Sequence, residues 1–287
     1  MKIVLAVDGS DQSFDAARVL GILNSAEQLL VVHAANPPWL AYPTLGSGLH
    51  KDLAMTVEQA MKEEGERLLD RVVSILPPHH GPTSKRLEWG NPAEVVLNVA
   101  EEVQADLIVI GARGLGQIRE HRFGSVSHRV MTHAACPTLV IKSSLRNLQH
   151  VLMPMESPED GKVVCDFLAK KPFRDLPQVT IMHVIPFAGP VWPVGGLIPE
   201  SFRKEMMAHA EKMTEEAAVR LRELGYQAEG LAVMGAPSLA LAEEAATRKP
   251  GLIVMRSHSR SGVSRFLLGS VSHSVAHHTS CSLLVVK

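Results

Sequence analysis

One passage of twenty residues is written twice in this chain. Phe123-Gly-Ser-Val-Ser-His-Arg-Val-Met-Thr-His-Ala-Ala-Cys-Pro-Thr-Leu-Val-Ile-Lys142 returns as Leu268-Gly-Ser-Val-Ser-His-Ser-Val-Ala-His-His-Thr-Ser-Cys-Ser-Leu-Leu-Val-Val-Lys287, displaced by 145 residues. The openings correspond as well: Lys2-Ile-Val-Leu-Ala-Val-Asp8-Gly-Ser10 in the first half, His150-Val-Leu-Met-Pro-Met-Glu156-Ser-Pro158 in the second. A repeat of this length means one folding unit used twice. A chain of 287 residues, at ~150 per domain, also divides into two. The expected domains are 1–143 and 149–287, joined by the short linker Ser143-Ser-Leu-Arg-Asn-Leu148.

Within each half, apolar runs alternate with segments of helical spacing. The first half reads as strand 2–8, helix 13–25, strand 29–34, a Pro- and Gly-containing loop, helix 50–76, strand 86–88, helix 93–103, strand 106–110, a helix opened by Ser125, and strand 137–141. The second half repeats this order with strands at 150–155, 179–185, 228–234, 251–255 and 282–286, and helices near 160–170, 199–224 and 237–248. Continuously apolar strands separated by helices call for burial on both faces, which a parallel sheet provides. The fold class is therefore α/β, two tandem doubly wound domains.

The most chemically informative segment follows the run Asp106-Leu-Ile-Val-Ile110. It reads Gly111-Ala-Arg-Gly114, then nine residues, then Gly124-Ser125-Val126-Ser127. A strand entering a glycine-rich loop and then a helix presents backbone N–H groups and a positive dipole end to an anion. Gly111 and Gly114 are expected to supply positive φ and close approach, and Ser125 to cap the helix while reaching a phosphate oxygen. A nucleotide polyphosphate suits such a loop. In doubly wound sheets the crevice lies at the strand carboxyl ends where strand order reverses. That places Asp8, at the end of strand one, opposite Gly111, where it either contacts sugar or base or serves as ordinary Asp-Gly-Ser turn chemistry. Arg113, Arg119 and Arg122 neutralise phosphates or are solvated loop residues.

Other features set bounds. Lys+Arg 29 against Asp+Glu 30 leaves no basic field for nucleic acid. No apolar run reaches the ~18–20 residues of a membrane span, and the chain opens directly into a strand, so a cytoplasmic protein with no membrane partner is expected. The three cysteines include no CxxC pair, and Cys136 and Cys281, at equivalent places, read as buried small hydrophobes. His273 and His277 have i, i+4 spacing, but no third ligand at a matching interval makes a metal set. His33 and His183 read as hydrogen-bonded core-edge residues, and Met206, Met207 and Met213 as filling for a core or interface.

Val7-Asp8-Gly-Ser10, the Gly90-Asn-Pro-Ala turn and the GxxGx9GS pattern at Gly111, Gly114, Gly124 and Ser125 together resemble the universal stress protein family in its tandem form. The resemblance spans nearly the whole chain. It implies a five-stranded parallel sheet in each domain, of the adenine nucleotide alpha hydrolase-like type, and a stress-response role with ATP, with or without Mg, or another adenine nucleotide bound. By position, Asp8 would meet the adenosine end and backbone groups near Ala34 the base. Gly111, Gly114, Gly124, Ser125 and Val126 would hold ribose and phosphates. In that family the last strands join protomers, and the duplicated chain can pair strands 138–141 and 283–286 internally, with or without a homodimer outside.

The second half departs from the pattern. Arg256 and Ser259 stand where Gly111 and Gly114 stand in the first half, and Glu156 replaces Asp8. A domain that has lost nucleotide binding is expected, the alternative being a new anion site made by Arg256, His258 and Arg260. Three functions follow: a nucleotide-binding stress protein working through conformation or partners; a slow ATPase or nucleotidyl hydrolase, whose candidate bases Asp8, Asp11 and Glu120 lack convincing partners; or a nucleotide-independent interaction protein with another ligand in the second domain, its pocket drawn from 187–198.

Overall fold

The computed structural model describes residues 1–37, 51–114, 123–186, 199–257, 275 and 279–287. The chain divides into two compact units, Met1–Arg146 and Asn147–Lys287.

The first unit runs β1 (Lys2–Val7), α1 (Asp11–Arg18), a 3-10 turn (Val19–Ile22), β2 (Gln28–Ala35), α2 (Lys51–Ser74), β3 (Thr83–Trp89), α3 (Pro92–Glu102), β4 (Leu107–Gly111), α4 (Ser125–His133) and β5 (Thr138–Ile141). Its strands are ordered β3-β2-β1-β4-β5, all parallel, with Ile3 facing both Leu29 and Leu107. Strand order thus reverses beside β1. Because parallel crossovers are right-handed, α1 and α2, which lead leftward, cover one face, and α3 and α4, which lead back, cover the other. The packing agrees: α1 touches β1, β4 and β5, α2 touches β2 and β3, and α3 packs on α4. Covered on both faces, the inner strands are apolar throughout; Val4, Leu5, Val31, Ile108 and Val109 have no exposed surface. Each such side chain contributes about 1.5–3 kcal/mol on leaving water.

The first helix is shorter than its apolar spacing suggests. α1 stops at Arg18 and tightens into 3-10 geometry over Val19–Ile22, where Gly21 lies against Pro77. Asn91 caps α3 by accepting from the N–H groups of Ala93 and Glu94, ahead of Pro92. Gly90, at φ +141°, makes the turn that brings this cap to the end of β3.

The second unit comprises β6 (His150–Pro154), α5 (Pro158–Ala169), β7 (Gln178–Pro186), α6 (Glu200–Glu223), β8 (Gln227–Gly235), α7 (Pro237–Arg248), β9 (Leu252–Arg256) and β10 (Ser282–Val286). Its strands are ordered β10-β9-β6-β7-β8, again parallel. Met213 is buried in α6 and Met206 and Met207 are half-buried. Among the described residues, no helix is long and apolar enough to cross a membrane.

The cysteine expectation needs correcting. Cys136 and Cys281 are only half-buried, whereas Cys165, in the middle of α5, is the fully buried one. Residues that precede a short final strand lie at its exposed end. A residue on the inner face of α5 is covered by α6.

Candidate functional site

At the strand carboxyl ends of the first unit, where order reverses between β1 and β4, lies a cavity of about 310 Å³. Four segments line it. Ala6, Val7 and Asp8 come from β1; Val32 and Ala34 from β2; Ile110 to Gly114 from β4 and the loop behind it; and Gly124 to Ser127 from the start of α4. Ser13 of α1 and Pro92 and Val96 of α3 complete it. Asp8, Ala34, Gly111, Arg113, Gly114, Gly124, Ser125 and Val126 therefore all face one space.

The polar end is built from backbone. Gly124, extended at φ −86°, ψ 156°, is the N-cap of α4, and no side chain caps the helix. Ser125 is its first helical residue, so the expected Ser125 cap is corrected: its hydroxyl sits one position beyond the N-cap, from which a side chain reaches forward to the N2 or N3 N–H. The uncapped first turn keeps its N–H groups directed at the cavity mouth. The mouth is tied at its base, because the Ala112 carbonyl accepts from the Gly124 N–H at 2.7 Å and from Ser127 Oγ at 2.7 Å.

The glycines are required for space rather than for left-handed backbone, another correction. Positive φ occurs at Gly9, Gly81, Gly90 and Gly225, and at none of Gly111, Gly114 and Gly124. A Cβ on Gly111 would lie 2.8 Å from the Gln12 carbonyl carbon and 2.9 Å from the Ser13 nitrogen. Gly111 thus lets the end of β4 slide under the start of α1. A Cβ on Gly114 would overlap Asp8 Oδ2.

Asp8 serves the turn with one carboxylate oxygen and presents the other to the cavity. Its Oδ1 accepts from the Ser10 N–H at 3.0 Å and from Ser10 Oγ at 2.6 Å, which is turn chemistry. Its Oδ2 is turned to Gly114 and the cavity. The strand end bearing it is held by His33, whose Nδ1–H donates to the Val7 carbonyl at 2.8 Å. His183 makes the same bond to Met155 at 2.9 Å in the second unit.

The lining also carries apolar side chains, Val7, Val32, Pro92 and Val96. Sequence reasoning did not assign Val32, Val96, Ser13 or Ser127 to a site, because in sequence they are indistinguishable from core and capping positions. Pro92 had a signal, the Gly90-Asn91 turn before it.

The family model for universal stress proteins matches residues 1–142 and, a second time, 147–287. The chain belongs to the universal stress protein family. A universal stress protein of Mycobacterium tuberculosis is 27% identical over 302 residues, covering 99% of this chain and 96% of that one. A Thermus aquaticus member is 36% identical over 144 residues, which is 49% of this chain and 97% of that shorter protein. The crystal structure of a universal stress protein from Archaeoglobus fulgidus shares the fold across 100% of this chain and 96% of that one, with TM-score 0.71 at 19% identity.

The two universal stress protein units differ at the equivalent crevice. Gly111 pairs with Ile141, and in the second unit Arg256 pairs with Val286, so Arg256 occupies the Gly111 position. Its Nη1 lies 3.4 Å from Oδ1 of Asp160, whose side chain is 4% exposed. Asp160 Oδ2 meanwhile accepts from the N–H groups of Glu156 and Ser157, each at 3.0 Å, and Ser157 caps α5 in return. The second unit thus carries an ion-paired arginine at the position that the first unit keeps bare. Ser259, His258, Arg260, Gly269, Ser270, Arg119, Glu120, Arg122, His273, His277 and the 187–198 segment lie outside the described residues. Among the described residues, no group of three His, Cys, Asp or Glu side chains is placed to hold a metal ion.

Proposed function

We propose that the first unit is a cytoplasmic adenine-nucleotide receptor, binding ATP with or without Mg, and that the chain acts in stress response through nucleotide-dependent conformation or partner binding. The observation that carries this reading is the cavity itself. It combines an apolar slot, lined by Val7, Val32, Pro92 and Val96, with a mouth of uncapped backbone N–H groups and one carboxylate. A flat base fits the slot, a ribose hydroxyl can donate to Asp8 Oδ2, and phosphates meet Gly114, Gly124, Ser125 and Val126, with Arg113 beside them. A cavity of about 310 Å³ is at the lower end of the range, roughly 300–1,000 Å³, usual for small-molecule sites.

Binding is favoured over hydrolysis. Asp8 is the one carboxylate among the described lining residues, and its Oδ1 is engaged by Ser10, so among the described residues no second carboxylate is positioned to activate water at the phosphate end. In the second unit an arginine ion-paired to Asp160 replaces the bare Gly111 position, which favours one nucleotide per chain. Isothermal titration of the whole chain with ATP, ADP and cyclic AMP tests the reading, with nucleotide product analysis run in parallel. Absence of heat with every nucleotide would reject it, and multiple-turnover ADP formation would move the chain to the hydrolase reading.

A further inference from the structure

The geometry points to Ser10 as a positioning residue for the nucleotide, one that locks the Asp8 carboxylate against the glycine loop; this rests on the nucleotide site proposed above. Ser10 is 9% exposed and caps α1, accepting from the Ser13 N–H at 3.2 Å. Capping requires nothing more of it. Yet Ser10 Oγ also lies 2.6 Å from Asp8 Oδ1 and 3.1 Å from the Arg113 carbonyl, while the Ser10 N–H donates to the same Asp8 oxygen at 3.0 Å.

The hydroxyl has a single proton to donate. The shorter, charge-assisted contact to the carboxylate takes the larger share, and the Arg113 carbonyl shares the remainder. Two consequences follow. Asp8 Oδ1 is held by two donors from one residue, which fixes the rotation of the carboxylate and leaves Oδ2 as the oxygen offered to a ligand, directly beside Gly114. The same oxygen atom of Ser10 also ties residue 8, at the end of β1, to residue 113, at the end of β4. Ser10 thus joins the two halves of the crevice, across 103 positions in sequence, at the point where sugar and phosphate would meet.

Glycine separates this role from capping. Gly at an N-cap keeps most of the capping stability and fits the extended backbone there, φ −71°, ψ 157°. It has no hydroxyl. In the full chain, Ser10→Gly should therefore lower the ligand-free melting temperature by no more than a few degrees, the loss of one internal hydrogen bond, and weaken binding of a fluorescent methylanthraniloyl-ATP about tenfold, because the Asp8 carboxylate is no longer held toward the ligand. Ser10→Thr, which restores the hydroxyl, should bind within about twofold of the parent. If the parent binds the probe and Ser10→Gly binds equally well, Ser10 is only a cap and the inference is overturned alone. It is overturned too if Ser10→Thr is as weak as Ser10→Gly. A parent chain that binds no probe rejects the nucleotide reading itself, and this inference with it.

Discussion

The Asp8 carboxylate ends where a β-carbon on Gly114 would begin, so the two residues define each other's position. A β-carbon on Gly111, three residues earlier, would instead meet main chain, the backbone of Gln12 and Ser13 at 2.8–2.9 Å. Alanine at the two glycines should therefore do different things. Gly111→Ala pushes apart β4 and α1, an overpacking cost of about 1–3 kcal/mol, and should lower the melting temperature of the first unit by several degrees. Gly114→Ala displaces a short side chain and should leave the fold intact while weakening ATP binding at least tenfold. In an Asp8→Ala background the same Gly114→Ala change should cost little further affinity. Calorimetric melting and ATP titration of the four variants check this; equal effects of both alanines on stability would contradict it.

Titration should give one nucleotide per chain, because Arg256 takes the Gly111 position in the second unit. Arg256→Ala should leave that stoichiometry and the ATP affinity unchanged. It should destabilise the second unit by about 1–2 kcal/mol, less than a fully buried pair, since Asp160 keeps its two backbone donors and Arg256 is 30% exposed. Two equivalent sites in the parent would refute the assignment of the second unit.

His150 makes part of the stability of the second unit depend on pH. Burial, and then the positive charge of Arg248, push its pKa below the usual value, while the Arg248 carbonyl, Glu229 and Glu244 oppose the shift. Its Nε2 meets Thr180 Oγ1 at 2.9 Å, and Thr180 in turn donates to Glu229 at 3.0 Å. The unfolded chain takes up this proton near pH ~6.5, before the folded chain does. Stability contributed by neutral His150 is thus complete above that pH and lost as pH falls through the lower folded value. Urea midpoints measured from pH 7.5 to 5.5 should fall less for His150→Gln than for the parent. An identical pH slope in the two proteins would exclude the effect.

The Cys165 thiol is pushed up to about 11 by burial, partly offset by the nearby Arg220 charge. It is protonated and covered at pH 8, hence a poor nucleophile. Pulsed alkylation with peptide mapping should label Cys165 only after denaturant is added, and half-buried Cys136 and Cys281 sooner. Rapid native labelling of Cys165 would show that α5 and α6 open readily.

Two features of this protein can be read directly from its residues, the duplication and the buried strands. The twenty-residue repeat establishes two like units, because a second copy of one pattern of burial can only fold the same way twice. Apolar runs such as Leu107–Ile110 establish buried parallel strands, since no half-exposed strand tolerates apolar side chains on both faces. The glycine spacing marks the loop, and the eight residues singled out around it face one cavity. The reason each is there emerges only from the packed unit. Gly111 is needed for the backbone of Gln12 and Ser13, about a hundred residues away in sequence, and Gly114 for the carboxylate of Asp8. Ser10 meets Arg113, and Val32 and Val96 become the wall of a cavity rather than core, only because β1 lies between β2 and β4. Periodicity reports which side of an element is buried; it carries no information on which atoms from another element arrive there, and that depends on strand order and helix approach, which are set by packing across the whole unit.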